Sequence, residues 1–304
     1  MNILIVGYTG FIGQNLIDYY LKIKNVTLFL VSRKIIEKNK ANKRVKYISS
    51  NTNDLKLFFQ NKQNKIDVII FCASVVDSKK NTYKDYYNGN VIYLKKFLRL
   101  INKNIVKNFI YLSTINIYGK KINYLKEEKK PDPQNTYAKT KLLAEKIIQN
   151  ELTNKIDYLI LRLPLVYGKK KLKGSLFIIK KIIQITPFFV SIKFRNKKSM
   201  LGIKNLADFI LFVDKKKKYF SNLRCKIFNI SDRDNYSTDD VFFFFSKIYK
   251  KNFFYITMFN NVARLILNFF SKRLFEKYFG SYTIDTTKIK KTGWKASYKF
   301  IDHF

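Results

Sequence analysis

A chain of 304 residues with 47% hydrophobic content has enough apolar side chain for a full core, which excludes a disordered or fibrous protein and suits one large α/β unit or two closely joined ones. The formal charge of +39 attracts polyanions in general, but it is carried almost wholly by Lys, comes with abundant Asn and Ile, and interleaves with no groove-reading pattern, so it reads as a solvated lysine surface rather than a specific nucleic-acid site. A single histidine, His303, excludes a histidine-based metal site or triad, and two cysteines, Cys72 and Cys225, each in an apolar run, suit a reducing compartment better than a disulfide framework.

The chain starts in an apolar, β-branched run, Ile3 to Val6, which reads as a buried parallel strand and leaves no room for a signal peptide, so the expected location is cytoplasmic. Gly7, Gly10 and Gly13 follow at three-residue spacing, as Gly7-Tyr8-Thr9-Gly10-Phe11-Ile12-Gly13, before a helix pattern opens. This spacing predicts a tight strand-to-helix turn whose backbone N–H groups approach a pyrophosphate, with the helix N-terminus adding partial positive charge. Gly7 makes the turn, Gly10 keeps a Cβ out of the phosphate's path, and Gly13 lets helix and strand pack closely. A second strand, Val26 to Val31, ends in Ser32-Arg33-Lys34 with no carboxylate to hold both ribose hydroxyls, and Arg33 is placed to meet a 2′-phosphate. That favours NADP(H), with NAD(H) as the alternative.

Arg44 to Ile48 is a third strand, followed by Asn51 and Asp54, one of which is expected to reach the adenine. The fourth strand, Ile66 to Phe71, leads into Cys72-Ala73-Ser74, expected close under the cofactor. A helix from Asp85 to Asn102 puts Val91, Leu94, Phe97, Leu98 and Ile101 on one face, with Asn90 near its start. The fifth strand, Phe109 to Leu112, ends at Ser113-Thr114. Alternating strands and helices of this kind give an α/β doubly wound parallel sheet.

Tyr137 and Lys141 are four residues apart in a second helix pattern and so share one face. An ammonium beside a phenol favours the phenolate, which makes Tyr137 a proton donor and acceptor near neutral pH. A sixth strand, Ile156 to Arg162, precedes Pro164 and Val166-Tyr167-Gly168. The alternation then becomes irregular. Helices are expected over Gly174 to Ile185, from Asn205-Leu206-Ala207-Asp208, and after a cap at Ser237 or Thr238, and Ile227 to Ile230 reads as a strand returning to the main sheet. The stretch from Phe253 to Phe270 is interrupted by Asn260, Asn261, Arg264 and Asn268; it is too polar to span a membrane and reads as a packed helix, leaving at most peripheral membrane association. The expected division is a dinucleotide-binding domain of residues 1–165 plus about 204–231, and a smaller mixed C-terminal substrate domain of about 166–203 and 232–304, interleaved.

Thr9-Gly10-Phe11-Ile12-Gly13, Ser113-Thr114 with Ile117-Tyr118-Gly119, Tyr137 with Lys141, Arg162 to Gly168, Asn205 to Asp208 and the tail from Asp285 to Trp294 fall in the order found in extended short-chain dehydrogenase/reductases. The chain resembles their nucleotide-sugar epimerase/reductase group. Arg162 to Gly168, Lys173 to Phe177, Arg195 to Ser199 and Gly280-Ser281 are similar to the bacterial branch of 4-keto reductases that make UDP-N-acetylquinovosamine, and to related 4-epimerases. The resemblance implies a Rossmann-type fold and a homodimer acting on a UDP-sugar. It implies that Tyr137 is the general acid at the sugar C4 oxygen, that Lys141 holds the nicotinamide ribose and tunes Tyr137, and that Thr114 hydrogen-bonds the C4 oxygen. Together the motifs and the resemblance place Gly7, Thr9, Gly10, Phe11, Ile12, Gly13, Arg33, Asp54, Cys72, Ala73, Tyr137, Lys141 and Pro164 at the cofactor. Thr114, Ser175 and Lys198 would lie at the substrate.

Ser175 stands where the family often has Asn, and Lys198 where it often has Arg, which keeps charge for a phosphate without bidentate geometry. The 4,6-dehydratases carry an Asp-Glu pair after the catalytic Thr; here Ile115 and Asn116 follow Thr114, so dehydration lacks its proton carriers. The leading expectation is an NADP(H)-dependent reductase of a UDP-linked 4-keto-6-deoxy amino sugar for surface polysaccharide. The alternatives are a 4-epimerase with tightly bound NAD and, more remotely, a non-catalytic dinucleotide-binding protein.

Overall fold

The amino-terminal apolar run is buried on both faces because it lies in the middle of a parallel sheet. The computed structural model describes residues 1–39, 41–76, 81–119, 124–170, 172, 174–192, 196–223, 226–256 and 280–304. β1 (Asn2–Val6), β2 (Thr27–Ser32), β3 (Val45–Ser49), β4 (Ile66–Phe71), β5 (Val106–Thr114) and β6 (Asp157–Leu163) follow the predicted strands. β7 (Leu165–Tyr167), β8 (Phe188–Ile192) and β9 (Lys198–Gly202) lead outside the main sheet, and β10 (Ile227–Asn229) returns to its edge beside β6. The order is β10-β6-β5-β4-β1-β2-β3, all parallel. From β1 the chain winds outward through β2 and β3, then crosses to the other side at β4, so a crevice opens between β1 and β4 beyond their carboxyl ends. Register brings those ends level, with Val6 beside Phe71, Phe71 beside Tyr111, and Thr114 beside Leu163.

Helices cover both faces. α1 (Phe11–Tyr20) and, later in the chain, the helix Ile203–Lys215 pack on one side with Leu16, Tyr20, Leu206, Phe209 and Ile210. α2 (Thr52–Gln60), the turns from Tyr83 to Leu100, and a long helix from Thr136 to Leu152 pack on the other, with Leu55, Phe59, Leu94, Phe97, Ala144 and Ile148. α2 was not anticipated: its window holds three polar residues in its first turn, and only Leu55 and Phe59 are buried. The expected continuous helix from Asp85 to Asn102 is instead α3 (Tyr83–Tyr87), a π turn (Asn88–Ile92) and α4 (Tyr93–Leu100). The helix Thr136–Leu152 is α5, followed by α6 (Gly174–Ile185), α7 (Ile203–Lys215), α8 (Lys217–Ser221) and α9 (Thr238–Ile248), the last capped by Ser237 in a capping box with Asp240.

The smaller unit is mixed: β9 lies between β7, parallel, and β11 (Asn235–Tyr236), antiparallel, while β12 (Asn252–Ile256) pairs with β8. Phe253 to Ile256 are therefore strand rather than the start of a helix; residues 257–279 and Cys225 lie outside the described residues. Among the described residues no helix is long and apolar enough to cross a membrane. Ile289 of α10 (Thr287–Lys290) and Trp294 join the core beside α7, where the Trp294 indole donates to Asp208 at 3.0 Å.

The last residues fold back over Tyr167. Phe300 stacks on that ring at 4.5 Å between centroids, and His303 packs edge-on to it at 5.0 Å. His303 is buried against Gly202, whose backbone N–H donates to Asp232 at 2.9 Å; Tyr167 donates to the same carboxylate at 2.5 Å. Burial pushes the His303 pKa down to about 4 and the Asp232 carboxyl up to about 6. His303 thus adds stability above its ordinary value of 6.5 that is lost as pH falls through about 4. Asp232 adds stability below its ordinary 3.8 that is lost as pH rises through about 6. The two oppose each other on acidification, each by on the order of 3 kcal/mol. Urea titrations of Asp232→Asn against wild type should show stability falling more steeply from pH 6.5 to pH 4, and His303→Gln should show the reverse; parallel curves for all three proteins would refute the opposition.

Candidate active site

Gly7 leaves β1 with φ +89°, its N–H donating to Val31 at 2.8 Å, and a Cβ there would lie 2.6 Å from the backbone N and Cα of Ala73. Only glycine meets both the left-handed conformation and the close approach. At Gly13 a Cβ would lie 2.5 Å from Tyr8 Cα, so α1 packs onto the turn through its own backbone. Gly10, the exposed residue before α1, differs: a Cβ would meet only the Gly7 carbonyl at 3.3 Å. Packing asks much less for glycine at Gly10, where the Gly7 carbonyl would need to give by only a few tenths of an ångström, and access to the helix end is its further use. No side chain caps α1, and its first turn, with half-buried Phe11 and Ile12, holds no acidic residue. Thr9 is half-buried between the two glycines.

The far wall of this turn is the segment after β4. The Cys72 thiol donates to Val6 at 3.0 Å, and burial raises its pKa to about 12, so it stays protonated. Ala73 abuts Gly7. Ser74 and Val75 are held by buried Asn90, whose Oδ1 accepts from the Ser74 hydroxyl at 2.9 Å and the Val75 N–H at 2.7 Å. The Asn90 amide donates to Val75 at 3.2 Å and to Thr140 of α5 at 3.1 Å. The π turn makes this possible, since its extra residue brings Asn90 and Gly89 onto the loop; a Cβ on Gly89 would overlap Val75. The sequence shows Asn90 but not its partners. Toward the other edge, Arg33 is exposed just past β2, and Asp54 is exposed in the first turn of α2. Asn51 caps that helix and donates to the Asp54 carboxylate at 2.7 Å, so the two candidates for the adenine bind each other.

Across the switch point, Thr114 ends β5 and caps a 3-10 turn, its hydroxyl accepting from Asn116 N–H at 3.2 Å. Asn135 caps α5, accepting from Ala138 N–H at 2.8 Å, and this sets Tyr137 in the first turn, half-buried. One turn on, the buried Lys141 ammonium donates to the Leu112 carbonyl at 2.6 Å and lies 4.0 Å from the centre of the Tyr111 ring. Burial pushes its pKa down to about 7, opposed by the charge of Glu145. Lys141 therefore gains or loses its proton near neutrality, a property its spacing from Tyr137 does not reveal. Behind it Glu145 accepts from Ser113 and forms a buried ion pair with Arg162 at 2.8 Å. Neither partner was singled out as a site residue, though Glu145 continues the four-residue spacing of Tyr137 and Lys141.

Pro164 is buried between β6 and β7. Ser175 is the second residue of α6. Lys198 opens β9, half-buried, with its amine pushed down to about 8 by burial, and it bridges to Tyr282, whose hydroxyl donates to the Ile115 carbonyl at 2.9 Å. The strand bearing Lys198 is thus tied to the turn that follows Thr114.

The chain is 28% identical over 209 residues to an uncharacterised UDP-glucose epimerase of Bacillus subtilis, covering 62% of this chain and 65% of that protein. It is 25% identical over 215 residues to the N-acetyl-alpha-D-glucosaminyl-diphospho-ditrans,octacis-undecaprenol 4-epimerase of Escherichia coli O157:H7, covering 69% and 62%. The matched region is a little under two-thirds of each relative's length. The crystal structure of UDP-glucuronic acid 4-epimerase from Bacillus cereus in complex with NAD superposes with a TM-score of 0.76 at 21% identity, covering 100% of this chain and 94% of that one, which shows a shared fold. Residues 3–214, from β1 through α7, match the NAD dependent epimerase/dehydratase family, and the chain belongs to that family, within the extended short-chain dehydrogenase/reductases.

Proposed function

We propose that the protein is a nucleotide-sugar 4-epimerase that works with a retained NAD and takes a UDP-linked hexose or N-acetylhexosamine. The observation that supports this reading is the Lys141 amine, bonded to Leu112 two residues before Thr114 at the end of β5 and one turn beyond Tyr137 on α5, in a chain whose glycine turn has Gly7 and Gly13 fixed by packing. That cradle fits a dinucleotide diphosphate: backbone N–H groups of residues 9–13 and the uncapped start of α1 would hold it, with Cys72, Ala73 and Pro164 alongside. Lys141 would hold the ribose next to the nicotinamide, Arg33 and Asp54 the adenosine. Bound NAD supplies reversible two-electron oxidation. The chain supplies the rest: Tyr137 takes and returns the proton of the C4 hydroxyl, Thr114 orients that oxygen, and Ser175 and Lys198 hold the diphosphate end. The names of the sequence relatives support epimerisation over the reductase expected first.

A second reading, stoichiometric reduction of a UDP-linked 4-keto-6-deoxy amino sugar by NADPH, is favoured by one observation. Arg33 is exposed at the end of β2 and no carboxylate lies on Ser32-Arg33-Lys34. Both readings place a homodimer in the cytoplasm. Purified protein is expected to interconvert UDP-glucose and UDP-galactose, or their N-acetylamino forms, with no added dinucleotide and no net change in NAD(P)H absorbance. Isomerisation absent across that panel, with NADPH consumed on a 4-keto sugar, would replace the first reading with the second.

A further inference from the structure

Glu145 and Arg162 are both almost wholly buried, and stability alone does not account for them, because a well-packed apolar pair commonly does as well or better. Their surroundings lead to the reacting residues. Ser113 and Arg162 are register partners on β5 and β6, and Glu145 reaches both from α5. Arg162 also donates to the Tyr118 hydroxyl at 2.9 Å and the Glu127 carbonyl at 3.1 Å, and Tyr118 donates to Asn229 at 2.8 Å. The carboxylate is therefore held by Ser113 and Arg162, and Arg162 in turn by Tyr118 and Glu127. Ser113 directly precedes Thr114, and Lys141 lies one turn before Glu145 on the same helix.

We propose that Glu145 is a positioning residue for the active site: braced by Arg162, its carboxylate fixes the Ser113–Thr114 end of β5 from a place one helical turn behind Lys141. This rests on the dinucleotide-binding reading above. The groups facing Lys141 are Tyr111 and the Leu112 carbonyl from β5, Cys72 from beyond β4 and Glu145 from α5, with Tyr137 near Tyr111 and Arg162 of β6 behind Glu145. Cys72 and Tyr111 hold their protons well above neutrality, and Arg162 keeps its charge. Burial brings the Lys141 amine down to about 7, and the neighbouring Glu145 carboxylate opposes that lowering.

The test is the pH dependence of NADH affinity, read by fluorescence, in wild type, Glu145→Gln and Glu145→Gln/Arg162→Met, with epimerase kcat and KM measured alongside. The upper pH at which wild-type affinity falls should move down by about one unit in Glu145→Gln, and should stay shifted in the double variant although both neutral side chains can pack. Turnover should fall at its alkaline side in step, with KM for the sugar little changed. A double variant with the wild-type pH profile, an unshifted Glu145→Gln, or loss of folding in both variants would assign the pair to structure alone and overturn the proposal. Wild type that binds NADH with this pH dependence but isomerises no sugar would sink the epimerase reading and leave the positioning role standing. Wild type that binds no NADH would remove the ground for both.

Discussion

Tyr137→Phe is expected to lower turnover by about 10²- to 10⁴-fold, the usual share of a positioned acid–base group, while leaving NADH binding and the melting temperature near wild type. Tyr137 is half-buried in the first turn of α5, and phenylalanine keeps its ring and its helical position. What is lost is the only atom that can pass a proton to and from the C4 oxygen in the proposed mechanism. The electrostatics beside it are steep: the Lys141 amine sits on the Tyr111 ring and the Leu112 carbonyl, desolvated to the point where its charge is marginal near pH 7. Sugar interconversion should be followed under saturating substrate, because the loss belongs in kcat. Retention of more than a tenth of wild-type turnover would remove Tyr137 from the chemistry.

The second large effect separates two glycines three residues apart. Gly7→Ala forces a side chain into a left-handed conformation and into the Ala73 backbone, where nothing flexible can yield. A loss of about 2–5 kcal/mol of stability is expected from strain and overpacking together, with dinucleotide binding lost as well. Gly10→Ala faces only the Gly7 carbonyl at 3.3 Å and has no such backbone demand. Its stability should stay within about 0.5 kcal/mol, as for surface substitutions generally, while NADH affinity drops by more than tenfold because the methyl enters the path of the diphosphate. Thermal denaturation and fluorescence titration of both variants decide the matter; equal loss of stability in the two, or unaltered affinity in Gly10→Ala, would refute the assignment.

The main sheet was legible because its strands are buried on both faces, which forces continuous apolar runs such as Ile3 to Val6 and Ile66 to Phe71. The glycine turn was legible because steric demand at Gly7 and Gly13 leaves no other residue. Three things were hidden. α2 shows only two buried residues, too few to mark a helical face against its polar first turn. The π turn has no local sequence signature, since it exists to carry Asn90 to a loop that is remote in the chain. The proton affinity of Lys141 depends on burial under β5 and on Glu145, neither of which the Tyr–Lys spacing encodes. The cofactor preference drawn from Arg33 rested on one exposed side chain, while the Bacillus cereus enzyme of the same fold holds NAD.

The π turn at Asn88–Ile92 also bears on how this chain can change length. It stores one residue more than an α-helix of equal rise, and both neighbours depend on that surplus. Deleting a single residue there would restore regular winding and leave Leu94, Phe97 and Leu98 of α4 facing the sheet, because the π turn takes up its extra residue locally, but it would draw Asn90 away from Ser74 and Val75. The surplus is therefore held in place by the loop rather than by the helix: a descendant could shed it only by finding another partner for the Ser74 hydroxyl and the Val75 N–H.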